Sequence, residues 1–356
     1  MKISILTFSK ETNFGANLQC YALCKVLQDM GHQVNIIDIQ LRRYHMSWYS
    51  AIMHLPMVWL FHQFRKQYLN VFTRHFSNVN ELRRNYPKSD LYIVGSDQVW
   101  NPAITKRLDP LTYFFSFLPG EARRISYAAS FGTGTWNFPN LTSQVKELIH
   151  QFDAVSVREE SGVKICNEVF NTKATLVTDP TLLLSSYDDI CGKYDAGHET
   201  NDLTYYTFVH NAPIQEVLVD FAKSQNLDAV VLRSNRTYTG FKLKRYVTVS
   251  EWLNSIRYSK IVVTDSFHCM VFCILFHKQF VAIPIKGGRA TRQENLLELL
   301  GLRDHFCKET SDLYRTMEHV IHKDLDYAVI DQKIKMMREE SLDFLRECCS
   351  ERVTIK

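Results

Sequence analysis

Several stretches of the chain put chemistry-bearing residues where an apolar run gives way to a loop. In Leu91–Pro102, LYIVGSDQVWNP, a short β-rich run stops at Gly95, and Ser96, Asp97, Gln98 and Trp100 follow at once. In open α/β sheets, ligands bind in the crevice beyond the carboxyl ends of the strands. A glycine there admits close backbone approach, and Ser, Asp and Gln bring hydrogen-bonding groups. Ser96 or Asp97 would equally serve as an N-cap. Asn13, Gly15 and Asn17, in the NFGAN stretch after the first apolar run, occupy the equivalent place. In the second half, Ile261–Val263 runs into Thr264-Asp265-Ser266-Phe267-His268 and then an apolar helix, so Ser266 and His268 fall at a helix N-terminus suited to a carboxylate or phosphate. Lys286–Arg292, KGGRATR, is a glycine-rich basic loop entering another helix, with Arg289 and Arg292 as candidate phosphate ligands, and Arg158 directly follows a buried run. Arginine forks match carboxylate and phosphate bidentately. Most of the thirteen histidines have no such setting; His268 stands apart because it follows VVTDSF, and imidazoles exchange protons near neutral pH. No paired carboxylates, Ser-His-Asp set or metal-ligand spacing is readable, so no metal is expected.

The elements that must position these groups follow from pattern. Ile3–Phe8 reads as a strand, Ser9–Asn17 as a polar loop, the next apolar residues recur at helical spacing to Gly31, and Val34–Ile39 is a second buried strand. That βαβ unit implies a parallel sheet. The loop is not GxGxxG, so a dinucleotide is a poor fit. Residues 41–76 break the rhythm with Trp48, Trp59, Phe61, Phe64 and Phe72 among histidines and arginines. They read as a helical aromatic insert packed on the first domain, or as a basic-aromatic surface lying on a membrane. Thr112–Phe115 reads as a strand, and strand Tyr205–His210 opens a second α/β series after the polar stretch Ser185–Asp202.

With 356 residues, 46% hydrophobic and 22% charged, the chain is an ordinary globular protein with room for two domains. A net charge of +4 allows anionic small molecules but is too weak to argue for nucleic acid. Nine scattered cysteines without a framework suit a reducing cytoplasm, and no apolar run reaches membrane-spanning length. The expected architecture is α/β: two doubly wound domains facing each other across a cleft. A first domain spans 1–184 and a second 203–310. Helices in 311–356 would pack back across them.

The segments NFGANLQCYAL, YIVGSDQVWNP, SYAASFG, SVREESG, VTDPTLLL and VVTDSFHCMVFCILF together resemble the polysaccharide pyruvyl transferase family, in order from the N-terminus to about Leu302. The resemblance implies a glycosyltransferase-B-like pair of Rossmann-like domains. It also implies transfer of the enolpyruvyl group of phosphoenolpyruvate to a sugar of a surface polysaccharide or its lipid-linked precursor, as a pyruvyl ketal. The family carries an Arg-x-His motif at the second domain's strand end. His268 falls on its catalytic histidine, Ser266 stands where its arginine would be, and Arg158 matches another donor-binding arginine. Arg158, Ser266, Phe267, Arg289 and Arg292 would then meet the donor. Asn13, Gly15, Asn17, Ser96, Asp97, Gln98 and Trp100 would meet the saccharide, Trp100 as a stacking face. Phosphoenolpyruvate is a substrate, and no cofactor is implied. The lost arginine keeps a nucleotide-sugar glycosyltransferase as an alternative, and a non-catalytic membrane-docking subunit is another.

Overall fold

The computed structural model describes residues 1–39, 48–209, 211–234, 238–284 and 291–350. In chain order the first elements are β1 (Lys2–Leu6), α1 (Phe14–Asp29), β2 (Gln33–Ile39), α2 (Trp48–Tyr68), β3 (Phe72–Phe76), α3 (Val79–Asn85), β4 (Leu91–Val94), α4 (Pro102–Thr105), β5 (Arg124–Ser126), α5 (Thr142–Ile149), β6 (Ser156–Val157), α6 (Glu160–Glu168) and β7 (Thr175–Leu176). They are followed by α7 (Asp188–Cys191), β8 (Asp202–Tyr206), α8 (Ala212–Ser224), β9 (Asp228–Leu232), β10 (Lys242–Lys244), α9 (Val249–Arg257), β11 (Ile261–Thr264), α10 (Phe267–Leu275), β12 (Gln279–Ala282), α11 (Thr291–Leu300), α12 (Leu313–Ile321) and α13 (Tyr327–Cys349). The chain divides into two compact units: Met1–Ile52, Arg65–Leu184 and Lys335–Lys356 form the first, and Met53–Phe64 with Ser185–Ile334 form the second.

The first unit holds a parallel sheet of order β3-β2-β1-β4-β5. The pair β6-β7 adjoins it through bridges from Ile125 to Ala154 and from Ala129 to Val157. The second unit repeats the order, β10-β9-β8-β11-β12, again parallel throughout. All four residues of β4, LYIV, are buried, as are all four of β11, IVVT. That is why these runs are continuously apolar rather than alternating: each is covered on both faces. In both sheets the first strand is central and the chain winds outward from it in two directions. The strand order therefore reverses between β1 and β4, and between β8 and β11. Such switch points are where a doubly wound sheet opens a crevice.

Three local readings are corrected. Residues 41–76 do not form a helical insert as a whole. Residues 48–68 are one helix, and Phe72–Phe76 is a strand of the sheet, pairing parallel with β2 (Phe72 opposite Ile36, His75 opposite Asp38); residues 40–47 lie outside the described residues. Aromatics are frequent in strands and in packed helices, so composition did not separate the two. Thr112–Phe114 is a 3-10 turn closed by Phe115 at φ +58°, its aromatic side chains driven into the core rather than paired in a ladder. The strand begun at Asp202 ends at Tyr206, leaving Thr207–Val209 as loop.

Candidate functional site

At the first unit's switch point the NFGAN stretch is helix, not loop. Asn13 is the N-cap of α1, its side chain accepting from the Ala16 N–H at 3.1 Å. Gly15 and Asn17 are buried in the first turn. Asn17 Nδ2 donates to the carbonyls of Glu11 (2.8 Å) and Asn13 (2.7 Å), and its Oδ1 accepts from Arg65 Nη1 at 3.2 Å. One turn on, Gln19 spans the switch point: Nε2 donates to Thr7 Oγ1 at 2.9 Å, and Oε1 accepts from the Ser96 N–H at 3.1 Å. Thr7 Oγ1 in turn donates to the Ser96 carbonyl at 2.9 Å. Two glycines let this loop close. A Cβ on Gly95 (φ +115°) would lie 2.2 Å from the Tyr127 carbonyl oxygen, and one on Gly132 (φ +70°) would lie 2.2 Å from Gln98 Oε1.

Arg158 is at the heart of this network. Its side chain is 1% exposed. Nη1 donates to Asp179 Oδ2 at 2.5 Å and to Ser96 Oγ at 3.2 Å, and Nη2 donates to Asp97 Oδ1 at 3.1 Å. Glu159 is close by, 3.8 Å from Nε, and accepts from Ser130 Oγ at 2.6 Å. Burial works against the guanidinium's charge, but Asp179, Asp97 and Glu159 more than offset it, so its pKa is raised. One arginine among three carboxylates is already matched, and its fork is bound to protein rather than facing an incoming anion. Gln19, Asp179 and Glu159 are the members that sequence reasoning did not assign to the site. Trp100 is likewise in the core. It is fully buried, stacked on Phe114 (centroids 5.3 Å apart, planes at 11°), with Nε1 donating to the Tyr113 carbonyl. A sugar-stacking role therefore has no exposed ring face here. Of the acceptor-side residues, Asn13, Asp97 and Gln98 keep partial exposure, while Gly15, Asn17, Ser96 and Trp100 are buried.

The second switch point is built differently. Ser266 is the N-cap of α10, its Oγ accepting from the Cys269 N–H at 3.3 Å, so the hydroxyl is engaged in capping. Thr264 Oγ1 supports the turn, donating to the Tyr206 carbonyl and accepting from the Ser266 N–H. Asp265 reaches across to the loop after β8, accepting from Thr207 Oγ1 (2.8 Å), the Phe208 N–H (2.9 Å) and the Val209 N–H (3.3 Å). Burial raises its pKa despite these bonds. The loop so held carries two exposed apolar side chains, Phe208 at 48% and Val209 at 40%. Beyond the cap, Phe267 and His268 form the first turn of α10, with their rings in edge contact at 5.5 Å. His268 is buried to 8% exposure. Arg292, in the first turn of α11, lays its guanidinium over the Phe267 ring, 5.5 Å from the centroid. The structure thus brings Ser266, Phe267, His268 and Arg292 together. Arg289 lies outside the described residues. Among the described residues no group of three or more potential metal ligands is present.

The family model for polysaccharide pyruvyl transferase matches residues 13–287, from the cap of α1 past β12. Among curated proteins no sequence matches. Similar solved structures include the UDP-GlcNAc 2-epimerase of Neisseria meningitidis bound to UDP-GlcNAc (11% identity, TM-score 0.57, covering 98% of this chain and 99% of that one). The Methanocaldococcus jannaschii UDP-GlcNAc 2-epimerase in complex with UDP-GlcNAc and UDP is also similar (12%, 0.55, 95% and 100%). A further match is an alpha-glucosyltransferase in complex with UDP and a 13-mer DNA (10%, 0.51, 96% and 95%). At these identities the likeness is one of fold: Rossmann-like domains of the glycosyltransferase-B kind.

Proposed function

Because this chain belongs to the polysaccharide pyruvyl transferase family, we propose that it moves the pyruvyl group of phosphoenolpyruvate onto a sugar of a cell-surface polysaccharide or its lipid-linked precursor. The observation that carries this reading is the match over residues 13–287, which takes in Asp97, Arg158 and His268. The second unit supplies groups for an anionic donor. The oriented N–H groups at the start of α10 suit a phosphate or carboxylate, Arg292 stands over Phe267, and Arg289 precedes it in sequence.

In the reaction, a proton adds to the methylene carbon of phosphoenolpyruvate and positive charge develops at C2. A sugar hydroxyl adds to C2 and gives up its proton. The C2–O bond to phosphate then breaks, and a second hydroxyl of the same sugar closes the ketal. One hydroxyl proton is thereby balanced by the new methyl group, and the other leaves with inorganic phosphate. His268 is the group assigned to proton transfer, at the methylene carbon or at the attacking hydroxyl. Arg158 keeps Asp97 in place rather than gripping the donor. Asp97, Gln98 and Asn13, which keep partial exposure beside their protein partners, are the groups we assign to sugar hydroxyls. The setting we assign is the cytoplasm, in keeping with nine free cysteines, eight of them buried.

One observation favours a second reading, a nucleotide-sugar enzyme. Phe208 and Val209 offer an exposed apolar face at the switch point where a base could stack, and the epimerases above are described with UDP-GlcNAc. Thermal unfolding with millimolar phosphoenolpyruvate, UDP or UDP-GlcNAc separates the two, since a ligand of the native state raises the midpoint by mass action. The expected result is a rise with phosphoenolpyruvate that disappears in Arg292→Ala. A rise with the uridine compounds alone would replace pyruvyl transfer with nucleotide-sugar chemistry.

A further inference from the structure

Helix α2 is apolar on two opposite faces. Met57, Phe61 and Phe64 are buried at 1–6% exposure, and they define the face turned to the protein. At 100° per residue, Trp48, Ile52, Leu55, Trp59, His62 and Lys66 fall on the other side, within about 40° of one line. Their exposure is high: 77% for Trp48, 52% for Ile52, 58% for Leu55 and 60% for Trp59, with His62 and Lys66 exposed at the C-terminal end of the stripe. A helix with apolar residues all round is ordinarily covered on every side. Of the twelve most exposed large hydrophobic side chains among the described residues, four lie on this one stripe. Scattered apolar residues need no explanation, but a contiguous row does.

The charge of the sequence that carries the helix points to what covers it. Residues 39–80 contain no aspartate or glutamate, and five cations: Arg42, Arg43, Arg65, Lys66 and Arg74. Arg65 is turned inward to Asn17, and Arg74 is matched by Glu81 beyond the stretch. Lys66 remains exposed on the stripe, and Arg42 and Arg43 precede the helix in sequence. Tryptophans set among cations, with carboxylates absent, are the composition of a surface that lies in the headgroup layer of an anionic bilayer.

We propose that the Trp48–Ile52–Leu55–Trp59 face of α2 docks this protein in the plane of an anionic lipid membrane. The helix lies on the membrane and does not cross it. Among the described residues no helix is long and apolar enough to span a bilayer. The inference stands on α2 alone and is independent of the reaction assigned to His268.

The test is co-sedimentation of the full chain with vesicles of phosphatidylcholine alone and of phosphatidylcholine containing 30% phosphatidylglycerol. Intrinsic fluorescence is recorded alongside, and light scattering gives the protein's mass. The expected result is partition to the anionic vesicles at least tenfold above the neutral ones, weakened by 0.5 M salt. A blue shift from Trp48 and Trp59 should accompany it, and Trp59→Glu and Leu55→Glu should each lower partition about tenfold with the unfolding midpoint unchanged. Trp59→Phe should retain most of it. No partition to either vesicle would overturn the proposal, as would partition untouched by both glutamate variants. A concentration-dependent dimer that Trp59→Glu splits, without vesicle binding, would overturn it in favour of a second copy as the occupant.

Discussion

The two sheets share one strand order, and in each a single polar side chain spans the switch point: Gln19 from Thr7 to Ser96 in the first unit, Asp265 from Ser266's turn to Thr207–Val209 in the second. What lies above these ties differs. In the first unit Arg158 stands with Asp97, Asp179 and Glu159, one cation held among three carboxylates. In the second stand a helix N-terminus, a histidine on the first turn, an arginine over a phenylalanine, and two exposed apolar side chains. Topology marks both crevices equally. The chemistry differs: the first presents carboxylates in excess around one buried arginine, and the second presents a histidine and an arginine beside a helix N-terminus.

Mutations at the two arginines should separate cleanly. Arg158→Ala removes the cation shared by the buried Asp179 and Glu159 and the partly exposed Asp97, and we expect a loss of about 3–5 kcal/mol, the usual cost of removing one member of a buried ion pair. Urea unfolding measures it, and Arg158→Lys should recover only part, because a lysine cannot fork between Asp97 and Asp179. Arg292 is only half-buried, its cation–π contact with Phe267 contributes about 0.5–1 kcal/mol, and Arg292→Ala should cost less stability than Arg158→Ala. A mild Arg158→Ala would mean the first unit's network is not what holds its loops, and the contrast would fail. Next in size, if the proposed reaction holds, His268→Gln should lower phosphate release from phosphoenolpyruvate by about 10²–10⁴-fold, the range of a general acid–base group. Its unfolding midpoint should stay near that of wild type, and undiminished turnover would remove His268 from the proton path.

The parallel strands, both switch points and the strand-end position of His268 are legible in the sequence, because strands buried on both faces and followed by Gly, Asp or Ser have few other readings. The pattern failed where one residue type serves two environments. Trp100 reads as a ligand face because polar residues surround it in sequence, yet Phe114 and Phe131 meet it from positions far along the chain and enclose it. Arg158 reads as an anion clamp because nothing in SVREESG announces Asp97, 61 positions away, or Asp179, 21 positions away. Pairings of this kind are set by the sheet's register, which no short window contains.

A smaller effect probes the ties themselves. Gln19→Leu keeps the volume but strands the buried Ser96 N–H, and should cost about 1–3 kcal/mol, read as a shift in urea midpoint at constant slope.

The corresponding tie in the second unit yields the finest test, because it titrates. Burial raises the Asp265 pKa, and the bonds from Phe208, Thr207 and Val209 offset this only in part. The folded carboxyl therefore holds its proton more tightly than the unfolded one, whose pKa is about 3.9. Between that value and the raised folded one the native state carries more protons than the unfolded state, so this group's contribution to stability falls as pH rises through the folded pKa. Asp265→Asn does not titrate. Urea unfolding of both proteins at pH 4 and pH 7 should show the stability of wild type relative to the variant shrinking toward neutrality. A difference that grows toward neutrality would mean that the three donors outweigh burial and stabilise the carboxylate. The second switch point would then stabilise a buried carboxylate as the first does, and the comparison between the two units would lose its basis.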